Sequence, residues 1–219
     1  MSLDPEIVSV NELIARRHEI TERIASCGVD PIGIDIVAVT KTLLVEVIPV
    51  VLQAGFHAIG ENYPQELAAK AKAMNSVDIA WHAIGQMQRN KVKLIAPYIS
   101  LWQTIDRQSL AATVAQHAPG ADVLVQINLS DDDARGGCRL SDVDALVDSC
   151  RMVGLRVRGL MTVGLLTDDT SRGFRAVRAA VDRLGLAVCS MGMSDDLEIA
   201  VCEGATMIRI GSALFGKRH

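Results

Sequence analysis

Lys41 is the residue whose neighbours best suit it for chemistry. It follows the run IDIVAVT, residues 34–40, whose β-branched and small apolar side chains predict a short strand buried on both faces, ending on the lysine. An ammonium at the end of such a strand stands where a buried sheet opens to water. Partial desolvation there favours the neutral, nucleophilic amine, whereas full solvation leaves an ordinary surface charge; the stretch by itself admits both. A second pattern, MIRIGSALFG, runs from Met207 to Gly216. Gly211 and Ser212 precede a short helical turn, where backbone N–H groups, the helix dipole and a hydroxyl can receive an anion, although a plain helix cap uses the same residues. Ser190, at the end of the apolar run LAVCS, offers another hydroxyl.

Other reactive residue types are scattered. His18, His57, His82, His117 and His219 do not fall at metal-ligand spacing, so no zinc site is expected. The five cysteines are odd in number and form no CxxC pair, which predicts free thiols in a reducing compartment. Cys189 and Cys202 sit in apolar contexts and read as small core residues. The run Asp131–Asp133 lacks the glutamate that would complete a calcium loop and reads as a solvated loop.

The elements that must position these residues alternate regularly. Strand patterns occupy residues 34–42, 56–60, 78–84, 98–104, 121–128, 155–161, 186–190 and 205–210. Helical patterns fill 43–54, 64–74, 86–95, 108–117, 142–152, 171–184 and 194–203, with a last turn ending at Gly216. Ser141 and Asp144 have capping-box spacing, and Ser194 reads as a helix N-cap followed by two aspartates that complement the dipole. An amphipathic helix from about Glu6 to Cys27, with Leu13, Ile14, Ile20 and Ile24 on its apolar side, precedes them. Eight such units predict a single (β/α)8 TIM barrel, one domain over residues 1–219, with the segment 1–30 packed on it as an extra N-terminal helix. An open doubly-wound sheet is the rival, but no GxGxxG follows the first strand. The 219 residues are 49% hydrophobic and 22% charged with a net charge of −4, and they hold no long basic run, signal peptide or transmembrane-length stretch. Nucleic acid and membrane are therefore not expected partners, and a cytoplasmic location is.

In a parallel barrel the strand C-termini gather at one mouth. Here those ends carry Lys41, Asn62, His82 with Gly85, Asp106, Asn128, Met161, Ser190, and Arg209 with Gly211 and Ser212. A lysine amine beside a phosphate cradle suits an aldehyde phosphate held as a Schiff base, and pyridoxal 5′-phosphate (PLP) meets that description. The stretches VAVTKT (37–42), GENYPQEL (60–67), WHAIGQMQRNKV (81–92), VQIN (125–128), GGC (136–138), RGLM (158–161), SMGMSDDLE (190–198) and RIGSALFG (209–216) cover nearly the whole chain after the first helix. In them the chain resembles the pyridoxal phosphate homeostasis protein family, small PLP-binding barrels like the N-terminal domain of alanine racemase, of PLP fold type III. The resemblance implies that Lys41 carries PLP as an internal aldimine. It further implies that Ser190, Met191, Gly211 and Ser212 hold the phosphate, that Asn62 lines the ring pocket and that Arg209 faces the pyridine nitrogen. Two departures stand out: the segment between Met161 and Ser190 is shorter than is usual in the family, and Ser212 stands where threonine is common.

An arginine cannot accept the ring proton, so the ring is expected to be a weak electron sink. Racemases of the related fold, by the same resemblance, add a base from a C-terminal domain of a partner subunit, and this sequence ends at His219. The expectation is a monomer that binds, buffers and delivers PLP, with PLP-requiring apo-enzymes as candidate recipients. The alternatives are a low-activity racemase using His82 or Tyr63 as second base, and a Schiff-base aldolase without PLP. His82 can equally be a packed histidine and Tyr63 a cap on the barrel. Asp106 can be a helix cap or an acid, and Arg89 and Lys91 a second anion site or a solvated helix face.

Overall fold

Short β-branched runs separated by helices close on themselves. In the computed structural model, which describes residues 8–75, 77–130, 132–165 and 169–216, the strands are β1 (Asp35–Val39), β2 (Ala58–Glu61), β3 (Ala80–Ala83), β4 (Ile99–Ile105), β5 (Asp122–Ile127), β6 (Arg156–Thr162), β7 (Val188–Ser190) and β8 (Met207–Ile210). All pair in parallel in chain order, and β1 pairs with β8, so the sheet is a closed barrel. The surrounding helices among the described residues are α1 (Val10–Ser26), α2 (Val47–Gln53), α3 (Pro64–Ala73), α4 (Arg89–Ile95), α5 (Gln108–His117), α6 (Val143–Met152), α7 (Thr170–Arg183), α8 (Leu197–Cys202) and α9 (Ser212–Phe215). None is long and apolar enough to cross a membrane.

Two layers of apolar packing follow from the strand period. Side chains on the outer face of the barrel meet the helices, as Ala38, Ile59, Trp102 and Val125 do. Inward-facing residues fill the barrel itself with Val37, Leu101, Leu124, Met161 and Met207. Above this apolar plug the interior turns polar: His82, Gln103, Gln126, Ser190 and Arg209 are all buried there.

The differences from the sequence expectation have local causes. β1 stops at Val39, so Lys41 lies in the turn beyond the strand, not on it; Leu43 N bonds the Thr40 carbonyl at 3.1 Å and turns the chain out of the sheet. α2 begins at Val47 instead of residue 43, because Pro49 fits only the first turn of a helix. β7 starts at Val188, since the Leu186 N–H closes the end of α7 on the Val181 carbonyl at 3.0 Å. The predicted capping box at Ser141 is replaced by a 3-10 turn over Leu140–Asp142, with Ser141 Oγ donating to Asp142. Ser194 is not a helix cap, because α8 starts three residues later behind Asp196. Cys189 is buried, whereas Cys202 is exposed and not a core residue. Glu6, Asp131, His219 and residues 166–168 of the loop after β6 lie outside the described residues.

Candidate functional site

The turn that carries Lys41 is built on a buried charge network. Thr40, wholly buried, donates its hydroxyl to Glu61 Oε1 at 2.5 Å, and its carbonyl accepts from Lys70 Nζ at 2.7 Å. Lys70 also donates to Glu61 Oε1 at 2.7 Å and to Glu66 Oε1 at 2.6 Å. Burial pushes the Glu61 carboxyl above its ordinary range, and the Lys70 ammonium pulls it back. The residue before Lys41 is thus held by both hydroxyl and carbonyl. The residue after it, Thr42, has φ of 65°, a left-handed conformation that a β-branched side chain resists at a cost of about 1–3 kcal/mol. Lys41 itself is half-buried.

On the neighbouring strand β8, in register with Val37, Arg209 is 4% exposed. Its Nη1 donates to Ser190 Oγ at 2.7 Å and its Nη2 to the Thr162 carbonyl at 2.7 Å. Ser190 Oγ donates in turn to Gln103 Oε1 at 2.7 Å, and Gln103 Nε2 meets His82 Nδ1 at 2.9 Å. Burial pushes Arg209 down to about 10, which leaves it a cation at neutral pH, and pushes His82 down to about 4, which leaves it neutral there.

Two loops complete the mouth. After β7 the chain runs Met191-Gly192-Met193-Ser194-Asp195. Gly192 has φ of 95°, and a Cβ there would fall 2.5 Å from Ala200, so only glycine permits this turn over α8. After β8, Gly211 leads into α9. The loops are joined by Ala213 N, which donates to Ser194 Oγ at 3.0 Å. From outside, α1 ties both down: Arg23 Nη2 donates to the Ser194 carbonyl at 3.0 Å and Arg16 Nη1 to the Leu214 carbonyl at 2.6 Å.

These parts enclose a cavity of about 300 Å³, at the small end of the range for ligand pockets, lined by Lys41, Arg209, Gly211, Ser212, Ser194 and Asp195, with Val39, Ile84 and Met193 as apolar walls. Of the residues predicted from sequence, it brings together Lys41, Arg209, Gly211 and Ser212. Asn62 lines a neighbouring recess with Tyr63, Gln86 and Lys91. Within that recess the Gly85 backbone lies tight against Asn62, since a Cβ on Gly85 would fall 2.1 Å from the Asn62 carbonyl oxygen. Ser190 and Met191 are wholly buried below the cavity, with the Ser190 hydroxyl held as above and Met191 N bonded to the Met207 carbonyl at 3.1 Å. His82 also lies below it. Asp106 neither lines the cavity nor caps α5, whose N-cap is Arg107; its carboxylate accepts from Arg107 Nη1 at 2.5 Å. Asn128 bonds within its own loop, to Ser130 and Asp132. Sequence reasoning missed Ser194, Asp195, Gln103 and the Glu61–Lys70 pair. The hydroxyl at Ser194, four residues after Ser190, was the available signal for the first. Among the described residues no group of three His, Cys, Asp or Glu side chains could hold a metal ion.

A primary amine and hydroxyl-bearing loops around one small cavity can fix a carbonyl and an anion together, while the guanidinium meets an acceptor on the same molecule. On a closed parallel barrel this defines the class of lysine-bearing (β/α)8 barrels. The family described as the alanine racemase N-terminal domain matches residues 19–219. The pyridoxal phosphate homeostasis protein of Escherichia coli strain K12 is 35% identical over 218 residues, covering 92% of this chain and 93% of that one. Among solved structures, an unknown protein from Bifidobacterium adolescentis has a TM-score of 0.86 at 28% identity, over 98% of this chain and 100% of that one. PipY of Synechococcus elongatus, with PLP bound, has a TM-score of 0.78 at 30% identity, over 90% of this chain and 100% of its own. The chain belongs to the alanine racemase N-terminal domain family and, within it, to the pyridoxal phosphate homeostasis proteins.

Proposed function

We propose that this chain is a single-domain, monomeric PLP carrier of the cytoplasm, which holds PLP covalently on Lys41 and buffers and delivers it to apo-enzymes that need it. The observation that carries this reading is the cavity itself, which Lys41, Arg209 and the loops of Ser194 and Gly211–Ser212 line together, on a barrel similar to PLP-bound PipY. Bound there, PLP supplies an aldehyde carbon for the lysine and an electron-withdrawing ring. The residues do the rest. Lys41 provides the attachment point, on a turn clamped by Lys70 and Glu61. Gly211, Ser212 and Ser194 would receive the phosphate, with the buried Ser190 and Met191 supporting those loops from below. Asn62 closes the side of the ring pocket. Arg209, a donor only, would meet the pyridine nitrogen and so leave the ring unprotonated and any amino-acid chemistry slow.

The test is covalent. Purified protein loaded with PLP should absorb in the visible, lose that band on borohydride reduction and carry the added mass on Lys41. Lys41→Ala should lose the adduct and retain PLP far more weakly. Equal retention by Lys41→Ala, or an adduct on another lysine, would overturn the assignment.

A further inference from the structure

Three buried side chains that do not line the cavity end on one that does. The chain Arg209–Ser190–Gln103–His82 crosses the barrel interior from β8 through β7 and β4 to β3, with links of 2.7, 2.7 and 2.9 Å. Its polarity is fixed from the arginine end. A guanidinium only donates, so Ser190 accepts from it and must spend its single proton on Gln103 Oε1. That choice orients the amide, and Gln103 Nε2 then donates to His82 Nδ1, leaving the imidazole proton on Nε2. The same Gln103 nitrogen lies 3.3 Å from Met207 Sδ. The other guanidinium nitrogen is held by the Thr162 carbonyl, so Arg209 is fixed at both Nη atoms from behind the cavity.

Filling the barrel does not require such a chain. The adjoining interior layer is packed with Leu101, Leu124, Met161 and Met207, and an apolar side chain at position 103 would avoid desolvating an amide. Every link of the chain is instead satisfied, the condition under which a buried polar network rigidifies a group.

We propose that His82, Gln103 and Ser190 are positioning residues that fix the orientation in which Arg209 meets the ring nitrogen of PLP, and so make the site select a ring that carries an acceptor there. This rests on PLP occupying the Lys41 cavity with its ring against Arg209. A merely structural network would affect all ligands alike, whereas a positioning relay affects discrimination at one atom.

The experiment compares dissociation constants for PLP and for deaza-PLP, in which a C–H replaces the pyridine nitrogen, in the wild type and in Gln103→Met. The wild type should favour PLP by about ten-fold or more, the worth of one hydrogen bond to a charged group. In Gln103→Met that ratio should fall towards one, with both ligands still attached to Lys41 and the melting transition intact. Should Gln103→Met not fold, Ser190→Ala, which removes one oxygen, takes the same measurement. A ratio that stays at its wild-type value in the folded variant overturns the relay, and so does a wild type that binds both ligands equally. Failure of the wild type to bind PLP at all overturns the carrier reading instead.

Discussion

His82 sets the clearest pH dependence of any single residue here. Desolvation in the barrel interior holds its imidazole at about 4, against an ordinary value of 6.5. The unfolded chain therefore takes up a proton below pH 6.5 that the native state refuses until about pH 4. The associated stability is fully present above the upper value, declines as pH falls through the window and is lost below the lower one. The expected loss is about 2 kcal/mol between about pH 7 and about pH 5. Urea unfolding of wild type and His82→Asn at those two pH values measures it; parallel declines in the two proteins would contradict the assignment. At this scale the sequence disclosed the ends of the strands. Lys41 and Arg209 were legible because a (β/α)8 barrel gathers strand termini at one mouth whatever the loops do. Gln103 was not, because in the sequence it is one polar residue inside ISLWQTI, and only closure of the barrel places it between Ser190 and His82.

Helix α1 acts as a strap on the loops after β7 and β8, although it contributes no residue to the cavity lining. Leu13, Ile20 and Ile24 bury its apolar face, while Ile14, on the same predicted stripe, is 47% exposed. Its arginines do the specific work. Arg23 donates to Glu198 from Nε at 2.5 Å and from Nη2 at 2.8 Å, and reaches the Ser194 carbonyl; Arg16 reaches the Leu214 carbonyl near the end of α9. Periodicity revealed which face of α1 is apolar but not what its charges meet, since those partners lie 171 to 198 residues away. The alternation of strands and helices was legible for the opposite reason, being local. Arg23→Ala should therefore cost stability only modestly, about 1 kcal/mol for a half-exposed ion pair, yet speed PLP release several-fold by freeing the Ser194 loop. Stopped-flow transfer of PLP to a trapping apo-enzyme, beside a denaturant midpoint, separates the two effects. An unchanged release rate in a folded Arg23→Ala protein would show that α1 packs without positioning the loops.

The barrel as a whole is uneven. β4, β5 and β6 are seven, six and seven residues long, and form one wall; β7, β8, β1, β2 and β3 are three, four, five, four and four. The β7–β8 seam is short, its ladder continued past the strand ends by Met191 N to the Met207 carbonyl at 3.1 Å and Arg209 N to the Gly192 carbonyl at 3.0 Å. The cavity stands over this thin side, with lining residues from the ends of β1, β3, β7 and β8. A ligand attached to Lys41 and held by the loops after β7 and β8, as proposed, would bridge both the short β7–β8 seam and the β8–β1 pairing that closes the barrel. Binding stabilises the native state by RT ln(1 + [L]/Kd), about 2.7 kcal/mol at a hundred-fold excess over Kd. Where that gain appears depends on which segments open before global unfolding, and short ladders are the first to open. Hydrogen exchange with and without PLP should therefore show new protection concentrated in β7, β8, β1 and their loops, with β4–β6 already slow and little changed. Protection spread evenly around the barrel, or centred on β4–β6, would mean that the ligand does not close the seam and that the thin side is as stable as the thick one.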